Sequence, residues 1–274
     1  MMNSISKKGT VLVVASSIDS FELKDGKPVK TGYFLNELTV PVQAVLAAGY
    51  DILLATPKGN QPSVDEHSLD ISHFHNDQTA FEHAVDFVNL HPAMQNPVTL
   101  RAAIENGLDH FAAVFLPGGH APMADLMQDT DLGEILRYFH THAKPTALLC
   151  HGPVAITAAI THAVDYRKSL VSGDVDTAKK LAEDWIYKGY RMTVISNDEE
   201  HYAEKHLLGD RKVPYYVADA LSIAGGVMEY AATGIFTPHV VQDRELITGQ
   251  NPSSDQELAR LLVDALENDR QQAV

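Results

Sequence analysis

Thr146-Ala147-Leu148-Leu149-Cys150-His151-Gly152-Pro153 reads as a short buried strand that breaks into a helix at a cysteine. The run before Cys150 is apolar without alternation, as in a parallel strand covered on both faces. Pro153 suits the first turn of a helix, and Gly152 allows another backbone to come close. A sharp strand-to-helix turn presents one side chain at its tip, surrounded by the free amides of the helix start.

The same alternation continues on both sides of this elbow. Upstream, a helix with Leu132, Ile135, Leu136 and Phe139 on one face follows a strand at Ala112–Leu116 and the turn Pro117-Gly118-Gly119-His120. A helix near Leu100 to Leu108 precedes that strand. Thr10–Ala15, an apolar segment of helical spacing from Leu35 to a stop at Gly49, and Tyr50–Ala55 make a β-α-β unit. Residues 56–96, rich in Pro, Asn, Asp, Ser and His, read as an insertion or lid over one edge, with one helix around Phe81 to Val88. Downstream come a strand at Met192 to Ile195, a helix at Val217 to Gly225, strand-like Val240-Val241 and Leu246-Ile247, and an amphipathic helix from Asp255 to Leu266. Residues 1–8 are polar and expected to fray. The pattern predicts one α/β domain over residues 1–274, a flavodoxin-like sandwich with a mostly parallel central sheet and helices on both faces. In such sheets ligands gather at the carboxyl ends of the strands.

Composition narrows the function classes. The 274 residues are 45% hydrophobic and 21% charged, ordinary for a globular chain. With 21 Lys and Arg against 36 Asp and Glu, the formal charge of −15 repels phosphate backbones and anionic lipid, so neither nucleic acid nor membrane is an expected partner. A single cysteine forms no internal disulfide, and no secretory signal pattern opens the chain, so a cytoplasmic location is expected. No apolar run approaches the ~20 residues of a membrane-crossing helix.

At the elbow, helix dipole and free amides favour a thiolate at Cys150 and an oxyanion on a bound carbonyl. His151 is placed to serve as base or acid, and needs a carboxylate behind it. Ser196-Asn197-Asp198-Glu199-Glu200 follows a predicted strand and supplies one; Glu200 is chosen, and a shift of one position would make it Glu199. Gly118 and Gly119 can bare amides for the other half of an oxyanion hole. His120, taken alone, reads as a surface histidine, and Glu37 as a carboxylate welcome at a helix start.

Leu116-Pro117-Gly118-Gly119-His120, Leu149-Cys150-His151-Gly152-Pro153 and Thr248-Gly249-Gln250-Asn251-Pro252 together resemble the ThiJ/PfpI superfamily within the class I glutamine amidotransferase-like fold. The resemblance covers most of residues 10–268 and is narrower toward the HchA-type chaperones and glyoxalase III enzymes. It implies Cys150 as nucleophile, His151 as the triad histidine, Glu200 as the acid that orients it, and Glu37 as the glutamate hydrogen-bonded to the sulfur. Gly119 and the His151 amide would form the oxyanion hole. Leu148, where glutamine amidotransferases carry glycine, and the lack of a glutamate fitting Pro238-His239-Val240 speak against ammonia transfer. Some relatives carry a two-histidine, one-carboxylate metal site; the histidines between His67 and His91 have no diagnostic spacing for one, and no metal or other cofactor is expected.

The resemblance implies a cofactor-independent glyoxalase III, a lyase-type enzyme (D-lactate dehydratase) acting on a small 2-oxoaldehyde, and a homodimer. The same chemistry would extend to glyoxal adducts of thiols or amines, as in a deglycase. Competing readings stay open: a holdase chaperone, a cysteine peptidase or amidase, and a redox sensor oxidised at Cys150 to the sulfinate.

Overall fold

Val11, Leu12, Val13 and Val14 are all buried, the environment of a strand covered on both faces. In the computed structural model, which describes residues 7–272, this strand, β1 (Thr10–Val14), lies inside a seven-stranded sheet. A small hairpin, β2 (Ser20–Glu22) and β3 (Pro28–Lys30), stands apart from it. Then follow β4 (Asp51–Thr56), β5 (Val98–Thr99), β6 (Phe111–Leu116), β7 (Thr146–Leu149), a detached pair β8 (Arg191–Met192) and β9 (Val227–Met228), β10 (Val240–Asp243) and β11 (Leu246–Gly249).

The main sheet runs β10-β11-β7-β6-β1-β4-β5, and every neighbouring pair is parallel except the β10–β11 hairpin at one edge. The chain moves from β1 to β4 in one direction and from β6 to β7 in the other. Crossovers of one hand running in opposite directions place helix Leu35–Ala47 and helix Thr130–Thr141 on opposite faces of the sheet. The terminal helix Asp255–Gln272 packs against Leu35–Ala47, and Thr130–Thr141 packs against the segment Gly152–Ala159. The order reverses between β1 and β6, so a crevice opens at the carboxyl ends of these strands. Both β6 and its neighbour β7 deliver their loops there.

Three expectations change. Of the polar segment 1–8, residues 1–6 lie outside the described residues, while the Lys8 amide donates to Gly49 O at 3.0 Å and is not frayed. The strand expected over Met192 to Ile195 shortens to Arg191–Met192 and pairs with β9, outside the main sheet. The residues after it are held by other means: Thr193 N–H donates to Thr248 Oγ1 at 2.9 Å, and Ile195 N–H to the Cys150 carbonyl at 3.0 Å. The segment after the elbow is a 3₁₀ helix, Gly152–Ala159, buried throughout.

Residues 57–97 leave the sheet between β4 and β5. Their helix, Gln78–Leu90, is longer than the sequence pattern indicates because the Asp77 carboxylate accepts from Ala80 N–H and starts it early. A separate small core of Leu35, Phe74 and Ala84 fastens this segment to the first helix. Among the described residues no helix is long and apolar enough to cross a membrane.

Leu148 is fully buried in β7. Truncating it, Leu148→Ala, should cost about 2–5 kcal/mol as lost transfer energy and a cavity. Urea unfolding should show a lower midpoint with an unchanged slope.

Candidate active site

Cys150 carries φ +60, the left-handed region that side chains with a Cβ avoid. Two backbone bonds hold it there: Cys150 N–H donates to Gly249 O at 2.9 Å, and its carbonyl accepts from Ile195. The strain turns the side chain out of the strand into a cavity of about 430 Å³. Phe34, Tyr202 and Phe236 form apolar walls, and His67, Asp70, Ser72 and His73 come from the 57–97 segment.

Glu37 reaches the same sulfur from helix Leu35–Ala47. Its carboxyl is fully buried beside the Cys150 thiol, Oε2 accepts from Gly118 N–H at 2.8 Å, and Oε1 has no hydrogen-bond partner among the described residues. Burial raises its pKa to about 8, against smaller lowering effects of Cys150 and the Gly118 amide. Glu37 is therefore a carboxylic acid at neutral pH, able to donate to sulfur.

Glycine at 118 is a steric necessity, since a Cβ there would sit 2.4 Å from Glu37 Oε2 and 2.7 Å from Cys150 Cβ. Gly119 has φ +86, and a Cβ would fall 2.0 Å from Gly32 O. Only part of the expected oxyanion arrangement is available, because the Gly118 amide is taken by Glu37. The N–H groups of Gly119 and His151 have no acceptor among the described residues.

His151 Nδ1 stands 3.4 Å from Cys150 Sγ, and its Nε2 lies 2.6 Å from Glu200 Oε2. An ionised carboxylate can only accept, so Nε2 carries the proton and Nδ1 presents a lone pair to the thiol. Burial alone would raise Glu200, but His120 and His151 outweigh it and hold the carboxyl well below the usual range.

Glu199 and Glu200 part company at the start of helix Asn197–His206. Glu199 closes a capping box with Ser196 and also accepts from Phe236 N–H at 2.7 Å, Gln250 Nε2 at 3.0 Å and Asn251 Nδ2 at 2.8 Å. Its oxygens are spent on scaffold contacts. The carboxylate that meets the imidazoles is Glu200.

The thiolate expected from position meets an opposing environment. Burial pushes the Cys150 thiol up, and the carboxylates of Glu199 and Glu200 add to the rise. Activation therefore has to come from transfer of the thiol proton to His151, assisted by a protonated Glu37, and not from the elbow amides alone.

His120 is a site residue that sequence reading places wrongly on the surface. It is 5% exposed, its Nε2 lies 2.8 Å from Glu200 Oε1, and its ring centroid is 4.1 Å from that of His151. A ligand atom from each of His120, His151 and Glu200 lies within 4.8 Å of the others, a set able to hold a metal ion. The histidines from 67 to 91 form no such group among the described residues.

Residues 29–265 match the model of the DJ-1/PfpI family. The chain belongs to the DJ-1/PfpI family. Its relatives include the protein/nucleic acid deglycase HchA of Staphylococcus aureus (strain Newman), 27% identical over 268 residues that span 95% of this chain and 81% of the relative. Among solved structures, glyoxalase III of Candida albicans superposes with a TM-score of 0.70 at 20% identity, covering 94% of this chain and 97% of that one. The 24 kDa rapid encystment protein of Francisella tularensis gives 0.68 at 23% identity, covering 94% and 99%. These two likenesses show the fold alone, a mostly parallel sheet with helices around it.

The raised pKa of Glu37 has a signed consequence. The folded chain keeps this proton up to about pH 8, whereas the unfolded chain releases it near 4.5. The folded state thus binds more protons between these values, and its stability falls as pH rises through that window. Glu37→Gln removes this slope. Urea midpoints should show the variant gaining on the wild type from pH 5 to pH 8, by a few kcal/mol at most.

Proposed function

We propose that this chain is a glutathione-independent glyoxalase that converts methylglyoxal to lactate through a hemithioacetal on Cys150. One observation carries the reading: a buried, protonated Glu37 and the bare Nδ1 of His151 converge on one thiol. A simple acyl-transfer site needs only the second of these. Isomerisation of a 2-oxoaldehyde also needs a group that gives and takes a proton at carbon.

The steps follow from those atoms. His151 Nδ1 takes the Cys150 proton, and the sulfur bonds to the aldehyde carbon while the carbonyl π electrons move to oxygen. The amides of Gly119 and His151 face that oxygen, and the Glu37 carboxyl protonates it. Glu37, now a carboxylate, removes the hydrogen from the former aldehyde carbon, giving an enediol whose second oxygen takes the His151 proton. Glu37 returns its proton to the neighbouring carbon, His151 accepts the hydroxyl proton, and a lactoyl thioester remains. Water then adds to the thioester carbon and loses one proton to the Glu37 carboxylate, and the sulfur leaves with the proton held by His151. Methylglyoxal plus water has become lactate, and the site is restored.

The cavity favours an extension of the same chemistry. A three-carbon dicarbonyl fills only part of about 430 Å³, leaving room for a thiol or amine that carries it, as a deglycase requires. The 57–97 segment lines the opening and narrows the path for an extended peptide, which supports the small-carbonyl reading over peptidase action.

Lactate formation from methylglyoxal without glutathione or added metal is the direct test. The wild type should turn over, and Cys150→Ala and Glu37→Gln should each lose at least ~100-fold in kcat/KM, the scale for loss of a nucleophile or proton relay. An inactive wild type whose Cys150 still alkylates readily near neutral pH would overturn the assignment of substrate.

A further inference from the structure

In the proposed reaction, most bonds of the carbon that Cys150 attacks are already assigned. One goes to sulfur, one to the oxygen that faces the amides of Gly119 and His151, and one to the hydrogen that Glu37 removes. The last leads to the ketone carbon and the substituent it carries, and the rest of the cavity is left to receive that group. With a total of about 430 Å³, this remainder is far larger than a methyl group.

Its walls are apolar and largely aromatic. Phe34, Ile195, Tyr202, Leu207, Phe236 and Pro252 line it, and among the described lining residues there is no lysine or arginine. The one carboxylate among them, Asp70, is exposed. An anionic extension such as a phosphate therefore meets no fixed cation, whereas an apolar one meets matching surface.

The rings are held in place by the elements that carry the site. Phe34 precedes the helix of Glu37, and its ring meets that of His73 edge to face at 5.4 Å. Tyr202 stands on the helix of Glu200 and meets Phe236 edge to face, with centroids 5.3 Å apart. Phe236 has φ +57, a conformation that survives only where the surroundings enforce it. Glu199 Oε1 accepts its N–H at 2.7 Å, and Asn251 Nδ2 donates to the next carbonyl, Thr237 O, at 2.8 Å. Tyr202 is still 43% exposed, so it keeps apolar surface for a bound group to take out of water.

We propose that Tyr202 and Phe236 are specificity-determining residues that seat an apolar, ring-sized substituent on the ketone carbon, so that bulky hydrophobic 2-oxoaldehydes are used in preference to methylglyoxal. The chemistry rests on the glyoxalase reading, but the pocket can be read without that reaction.

The first comparison measures kcat/KM for methylglyoxal and for phenylglyoxal, which the same steps and one water convert to mandelate. The wild type should favour phenylglyoxal by about tenfold or more. Tyr202→Ala and Phe236→Ala should each lower this ratio by about fivefold, while Phe236→Leu, which keeps apolar bulk, should retain most of it. The second comparison alkylates Cys150, the sole cysteine, with iodoacetanilide and with iodoacetamide, and reads both rates from the mass of the whole protein. Their ratio, divided by the same ratio for a small free thiol, should be about ten or more in the wild type and should fall in both Ala variants.

Equal kcat/KM for the two oxoaldehydes, or ratios that neither Ala substitution moves, overturns the proposal and leaves the glyoxalase reading intact. An alkylation ratio no higher than that of the free thiol also overturns it. A wild type that turns over neither oxoaldehyde, yet prefers iodoacetanilide through Tyr202 and Phe236, upholds the pocket while the glyoxalase reading fails. Tyr202 lies on the surface and outside the core, so its variant keeps the test open if thermal melts show that Phe236→Ala does not fold.

Discussion

A carboxylate is buried as an ion at Glu200, and among the described residues no lysine or arginine comes to meet it. Such a charge is several kcal/mol too costly unless it is paired and fully hydrogen-bonded. Two imidazoles provide the pairing, and this requirement organises the carboxyl edge of the sheet. The turn after β6 has to deliver His120, the elbow after β7 has to deliver His151, and helix Asn197–His206 has to start where its fourth residue points between them. The choice of histidine over arginine matters. A guanidinium would satisfy the charge permanently, whereas imidazoles satisfy it and still move protons.

Glu37 shows the opposite solution to the same difficulty. Among the described residues it has one amide donor, from Gly118, and no cation, so burial keeps it as the neutral acid. Two glutamates within one cluster are thus driven to opposite protonation states by their neighbours. That separation divides acid from base without any group supplied from outside the chain.

Much of this was legible in the residues. The unalternating strands β1, β6 and β7 announced a parallel sheet, and Cys150 and Glu200 could be placed at its carboxyl edge because each follows a strand-like run. The limits have physical causes. β8 was overextended because Val194 and Ile195 are apolar, although they are buried beside the elbow and not by strand pairing. One histidine after a glycine pair carries no sign of burial, so His120 reads as a surface residue; its signal lies in the topology, since the loops after β6 and β7 face the same crevice. The thiolate expectation counts the dipole at the elbow, and omits the burial of the sulfur and the carboxylates of Glu199 and Glu200 that the fold brings near it.

Adjacent glutamates at the start of helix Asn197–His206 face different ways, Glu199 into the scaffold and Glu200 toward the two imidazoles. Glu199 also ties the backbone at Phe236, part of the cavity wall, to the helix that carries Glu200. The helix start therefore behaves like a reading frame. Gain or loss of one residue between Thr193 and Asp198 would leave helix propensity almost unchanged, yet it would turn the anchoring glutamate toward the imidazoles and the imidazole partner toward the wall. Variation among descendants of this sequence should accordingly be tolerated there as substitution and purged as insertion or deletion.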